Sequence, residues 1–174
     1  MEKIALVSAD DIITGFAPKM LVHQQGLLHR AFSIVIFNDN GEMLIQKRAS
    51  SKYHSGGLWT NACCSHLIEG ENFEQYMHNR LQHEMGFDCK LNFLFKFHYK
   101  AMFENNLCEN EIDHVYTGQW NGTPLPDPSE AEDFCWMGFD EIKEKIAKHP
   151  ENFTYWFKEI ISSLPFREHL ICKS

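Results

Sequence analysis

No two cysteines in this chain are separated by two intervening residues, although it has six of them, at positions 63, 64, 89, 108, 135 and 172. That excludes the paired spacing of a structural zinc knuckle, and the uneven intervals make no disulfide framework. Reduced thiols are expected, with Cys63, Cys89, Cys108, Cys135 and Cys172 as small core residues. Long apolar runs are missing too. "FSIVIF" at 32–37 falls far short of the roughly 20 residues that cross a bilayer, so no membrane span is expected. The opening "MEKIALVSADD" sets acid beside its one lysine and has no sustained apolar stretch, unlike a secretion signal. A cytoplasmic location follows as an expectation. Positive charge is scarce: the formal net charge is -8, which argues against nucleic acid or a membrane surface as partner, since both are polyanions. An anionic small ligand would need local cations or a metal.

What is there fits one domain over 1–174, with 44% hydrophobic and 23% charged residues and no repeats or low-complexity tracts. "KIALV" reads as a short strand, and "FSIVIF" and "MLIQKR" as two more joined by the turn "NDNGE". Apolar residues fall on both faces of 32–37, which predicts helices on both sides of a sheet, a layered α/β sandwich. A helix is predicted over 71–87 with Gly86 as its stop, two β-like runs around 91–103 and 112–120, a surface loop near 121–133, and two amphipathic helices in the last third.

Within the 71–87 helix, Glu84 lies seven residues after Met77 and eleven after Phe73, in register with the apolar stripe. A carboxylate so placed either pairs with a cation or metal inside, or turns to water at a frayed helix end. If 62–67 is extended, Cys64 and His66 share a face; if 109–116 is, Glu109 and Glu111 do likewise. With His23 and His29 upstream, three histidines and two carboxylates make a mixed nitrogen and oxygen set suited to zinc, manganese or iron. Taken singly, each histidine reads as a surface or hydrogen-bonded residue sooner than as a ligand.

The ordered spacing of these residues resembles the type I isopentenyl-diphosphate isomerases, a branch of the Nudix fold. Residues 65–87 keep Glu71, Leu81, Glu84, Gly86 and Phe87 of the Nudix box, but carry Ser65 for its first Gly, Asn79-Arg80 for its Arg-Glu and His83 for the first Glu of its acidic pair. The isomerase branch is further matched by Asn61, Cys64 and His66, by Glu109-Asn110-Glu111, by Lys19 with His23, His29 to Phe32, Arg48 to Lys52, Tyr99 to Ala101 and Trp156, over about residues 3–172. The resemblance implies a Nudix-type α/β/α sandwich with a mixed sheet, a degenerate box at 65–87 and a metal-binding N-terminal segment or lid at 1–30. It also implies isomerisation of isopentenyl to dimethylallyl diphosphate through a tertiary carbocation, with a Nudix-type diphosphatase as the alternative and a non-catalytic binding module as a third reading. Cys64 and Glu111 would be the proton carriers, aided by Tyr99, with Trp156 offering its π face to the cation. Lys19, Arg48, Lys52 and Arg80 would hold the diphosphate. His23, His29, His66, Glu109 and Glu111 would hold Zn2+ or Mn2+, and Glu84 with the Cys64 carbonyl would hold Mg2+. The implied partner is a small diphosphate substrate, and the chain a monomer or weak dimer.

Overall fold

The computed structural model of the chain describes residues 2–171, so Cys172 lies outside the described residues. Its centre is β3 (His29–Phe37), a nine-residue strand buried along almost its whole length. Along one edge β3 runs parallel to β8 (Cys108–Gln119) from His29↔Glu111 to Phe37↔Gln119. Its other edge is shared in sequence by three partners, which curls the sheet. β1 (Lys3–Val7) meets it at Leu6↔His29, β6 (Cys63–His66) over Ala31 to Ile34, and β4 (Met43–Arg48) at Ile36 and Phe37. β2 (Ile13–Pro18) pairs with β1, β5 (Trp59–Asn61) and β9 (Ala131–Met137) with β4, and β7 (Leu91–Met102) with β8, completing a mixed nine-stranded sheet.

The predicted two-sided burial of 32–37 is found. Phe32, Ile34 and Ile36 pack with Met77, Leu81 and Met85 of α2 (Phe73–Met85), while Val35 and Phe37 pack with Ile142 of α3 (Phe139–Lys148), Phe157 and Ile160 of α4 (Tyr155–Ser162) and Phe166 of α5 (Leu164–Ile171). Strand alternation sorts the side chains between these two cores without further instruction. The short helix α1 (Lys19–Gln25) follows β2 directly.

α2 begins where Asn72 accepts the Gln75 N–H on its side-chain oxygen at 3.0 Å. It ends at Gly86, whose φ of 78° is left-handed and where a Cβ would come within 2.6 Å of the Leu125 carbonyl oxygen. That close approach docks the loop after β8 on the end of α2, through Leu125 N–H to the Met85 carbonyl and Asp127 N–H to that of Glu84. The loop predicted for 121–133 gives way to β9 at Ala131, and α1, β2, β5 and α5 are elements the sequence pattern did not mark. Among the described residues, no helix is long and apolar enough to cross a membrane.

Candidate active site

A cleft lies between β3, β4, β6, β8 and the helices α2 and α4, lined by residues from each of them. Alternation along β6 turns Cys64 and His66 toward it and buries Cys63 completely in the opposite core, against α2. On β8 the same period aligns Glu109, Glu111 and Asp113. Because β6 and β8 flank β3 on opposite edges, residues far apart in the chain share one cavity wall.

His23, His29, His66, Glu109 and Glu111 are all buried, and one donor atom from each lies within 4.8 Å of every other. His29 Nε2 is 3.2 Å from Glu111 Oε1 and 3.4 Å from Glu109 Oε2, and His66 Nε2 is 2.8 Å from Glu111 Oε1. His23 and His29 each donate Nδ1–H to a backbone carbonyl, of Lys19 at 2.7 Å and Leu27 at 2.8 Å, which fixes the tautomer and leaves Nε2 aimed at the centre. His23 Nε2 and Glu109 Oε2 stand 3.1 Å apart, yet neither completes a hydrogen bond. Buried orphan lone pairs converging on one point fit a bound divalent ion. With protons alone, burial opposes charge on His29, but hydrogen bonds to Glu109 and Glu111 outweigh it and push its pKa up to about 10.

Tyr99 donates its hydroxyl to Glu111 Oε2 at 2.7 Å. Burial pushes the Cys64 thiol up to about 12, with the nearby Arg48 guanidinium pulling the other way, so the sulfur keeps its proton at neutral pH. Arg48 Nη1 reaches that sulfur at 3.8 Å, and its guanidinium lies 5.3 Å from the Trp156 ring centre. The indole face is therefore already a seat for positive charge in the cleft. Trp156 is 4% exposed with its N–H unpartnered, so packing alone orients it.

At the other end of the cleft, charged side chains neutralise one another. Arg80 grips Glu84 Oε1 through Nε at 3.2 Å and Nη2 at 2.6 Å, and Gln46 Nε2 donates to Glu84 Oε2 at 3.3 Å. Glu84 is buried as its position on the apolar stripe predicts, at 3% exposure, and the frayed-end alternative is excluded. Glu130 pairs with Lys52 and, at 3.1 Å, with Arg80; Lys19 lies over the Tyr53 ring and 3.6 Å from Glu2. Every residue given a catalytic, metal-binding or diphosphate-binding role from the sequence lines the cleft directly except His23 and His29, and those two stand beside Glu109.

The sequence reading missed His54, Glu130, Gln46 and Tyr53, all of which line the cleft. Gln46 carries a period-2 signal, because it shares a face of β4 with Arg48, which the sequence reading places at the site. His54 and Glu130 sit in loops, where no periodicity points inward. Ser33, opposite Cys64 in register, donates to Asp113 Oδ2 at 2.7 Å, and burial holds the Asp113 carboxyl well above the usual carboxylate range.

Residues 27–157 match the NUDIX domain family model. Among solved structures, a Deinococcus radiodurans protein superposes with a TM-score of 0.70 at 16% identity, covering 84% of this chain and 90% of that one. A NUDIX hydrolase from Nitrosomonas europaea gives 0.56 at 18%, covering 75% and 83%; both likenesses concern the fold. Curated relatives are much nearer in sequence. Isopentenyl-diphosphate Delta-isomerase 2 of Photorhabdus laumondii is 44% identical over 96% of this chain and 94% of its own length. Isopentenyl-diphosphate Delta-isomerase of Serratia proteamaculans is 46% identical over 96% and 93%. With its degenerate box and its cleft in place, the chain belongs to the isopentenyl-diphosphate Delta-isomerase family of the NUDIX superfamily.

Proposed function

We propose that this protein isomerises isopentenyl diphosphate to dimethylallyl diphosphate, a step of isoprenoid biosynthesis, in the cytoplasm and as a monomer or weak dimer. The observation that carries the reading is one cleft lined by the Cys64 thiol, the buried Glu111 carboxylate and the indole face of Trp156. Shifting an unactivated terminal double bond inward needs one proton delivered to C4 and another taken from C2. A donor and an acceptor must therefore bracket a short apolar chain. Cys64 and Glu111, reaching the cleft from strands on either edge of β3, supply that pair. Tyr99 holds Glu111 by its second oxygen and shares the moving proton. Trp156 stabilises the tertiary cation by an interaction of up to about 2 kcal/mol once water is excluded. Arg48, which faces that ring across the cleft, would turn with Lys19, Lys52 and Arg80 to the diphosphate.

His23, His29, His66, Glu109 and Glu111 would hold Zn2+ or Mn2+, and Glu84 with the Cys64 carbonyl would hold Mg2+ against the diphosphate. Bound there, a cation stabilises the ionised Glu111 and raises its acidity when protonated. The N-terminal segment 1–30, which brings Lys19 and His23, acts as the cover over the substrate. A diphosphatase would need several box carboxylates around its metal. Of the two that 65–87 retains, Glu84 reaches the cleft and Glu71 is exposed. The deciding experiment is isomerisation by metal-stripped protein with magnesium, zinc and manganese restored singly and together. Product formed only with metal, and lost in Cys64→Ala, is the expected result; release of phosphate from the substrate in its place would overturn the reading.

A further inference from the structure

The loop between β4 and β5 carries a histidine that neither the sequence pattern nor the relatives' names single out. His54 lies in a surface turn, yet is 8% exposed. The turn is tight: Ser55 takes φ 52° and Gly57 φ 76°, both left-handed, and the chain closes through Gly57 N–H to the Arg48 carbonyl at 2.9 Å. The result is a ring driven inward. It stacks on Phe103 with centres 5.0 Å apart and planes 21° from parallel, and meets Trp156 edge-on at 6.1 Å.

His54 Nε2 lies 2.8 Å from Glu109 Oε1. A carboxylate oxygen only accepts, so Nε2 carries the proton and donates it. Nδ1 then accepts, and the Ser55 hydroxyl stands 3.2 Å from it as donor. Glu109 thus has its two oxygens assigned to different tasks. Oε1 is held by His54, while Oε2 faces His23 at 3.1 Å and His29 at 3.4 Å and has no hydrogen bond of its own. His54 spends its inward nitrogen on the far oxygen and so stands outside the group of five donors.

We infer that His54 is a positioning residue: its Nε2–H pins Glu109 Oε1 so that Oε2 is presented to the transition metal. The role rests on the metal reading of the five-residue cluster. A carboxylate held at one oxygen cannot swing about its last torsion, and removing such an outer partner typically weakens metal binding by 10- to 100-fold.

Two substitutions separate this role from packing. His54→Phe keeps a ring between Phe103 and Trp156 but has no donor, whereas His54→Gln keeps an N–H at about the reach of Nε2. Metal-free protein is titrated with Zn2+ against a chromogenic chelator, alongside the thermal midpoint of the metal-free forms. Expected is a zinc dissociation constant about 10- to 100-fold weaker in His54→Phe, largely recovered in His54→Gln, with metal-free midpoints that do not follow that order. Equal affinity in His54→Phe and the unsubstituted protein, or equal losses in both variants, overturns the proposal. Should the unsubstituted protein bind no zinc, and His23→Ala change nothing, the metal reading falls and takes this role with it.

Discussion

The two ends of the cleft are built on opposite plans. At the end where a metal is proposed, most donor side chains rise from β3, β6 and β8, and all are buried. At the end proposed for the diphosphate, Lys52, Arg80 and Glu130 are long, partly exposed and paired with one another, at side-chain exposures of 22%, 21% and 15%. Strands hold a donor set in place before any ligand arrives, whereas flexible ion pairs must be exchanged for ligand contacts when it does. Geometry is therefore set at one end, and affinity is tuned at the other.

The sharpest way to break that comparison is to remove a proton carrier. Glu111→Gln and Cys64→Ala should each lower isomerase turnover by about 10²- to 10⁴-fold while leaving the circular dichroism spectrum and thermal midpoint close to the parent's. A loss of under tenfold in either would remove that residue from the chemistry. Next comes metal withdrawal. Zinc at about 100 times its dissociation constant should stabilise the protein by about 2.7 kcal/mol, a rise of roughly 5–10 °C in midpoint for a chain of this size. In His23→Ala that rise should vanish.

At the diphosphate end the effects should be smaller and of opposite sign. Glu130→Gln frees Lys52 and Arg80 from a competing carboxylate, so binding of inorganic diphosphate without magnesium should tighten by up to about fivefold, within the ~1 kcal/mol range of partly exposed pairs. Calorimetry showing weaker binding would mean that Glu130 serves the ligand and is not displaced by it.

The smallest effect belongs to a cluster outside the cleft. Asp11 accepts from Arg30 at 2.9 Å and from Lys96 and His114 at 2.8 Å each. Burial opposes its charge, but these partners prevail and hold its pKa below the usual value. A depressed folded pKa gives stability that is complete above the unfolded value of about 3.9 and is lost as pH falls through the folded one. Asp11→Asn tolerates the left-handed φ of 63° at this turn. Its deficit in denaturant midpoint against the parent should be constant near neutrality and shrink in acid. Isomerase activity at pH 7 should be unchanged.

The strands at 32–37 and 43–48 were legible as short apolar runs joined by a turn signal, and the helix ended by Gly86 by its apolar stripe and its stop. The five-residue cluster was legible as donor types in order along the chain, although only pairing of β3 with both β6 and β8 brings the donors within reach of one another. β9 was not legible: Glu132 and Asp133 interrupt its apolar pattern, as an edge strand paired only with β4 permits. α1, at seven residues after Pro18, is too short to carry a period. His54 and Glu130 show why loops resist this reading, since their inward direction comes from a left-handed turn and from a loop anchored on the end of α2. "DPSEAED" at 127–133, seen as letters, is indistinguishable from a solvated acidic stretch.

The neighbouring thiols of β6 show how little chemical identity counts without register. Cys63 and Cys64 are covalently alike and adjacent, yet one is sealed against α2 and the other borders the cleft. The doublet is therefore no spare part: Cys63 cannot stand in for a lost Cys64 unless the strand slides by one position. Such a slide would also turn His66 away from the other histidines, so the frame that would choose the proton-carrying sulfur is the same frame that assembles the proposed metal donors.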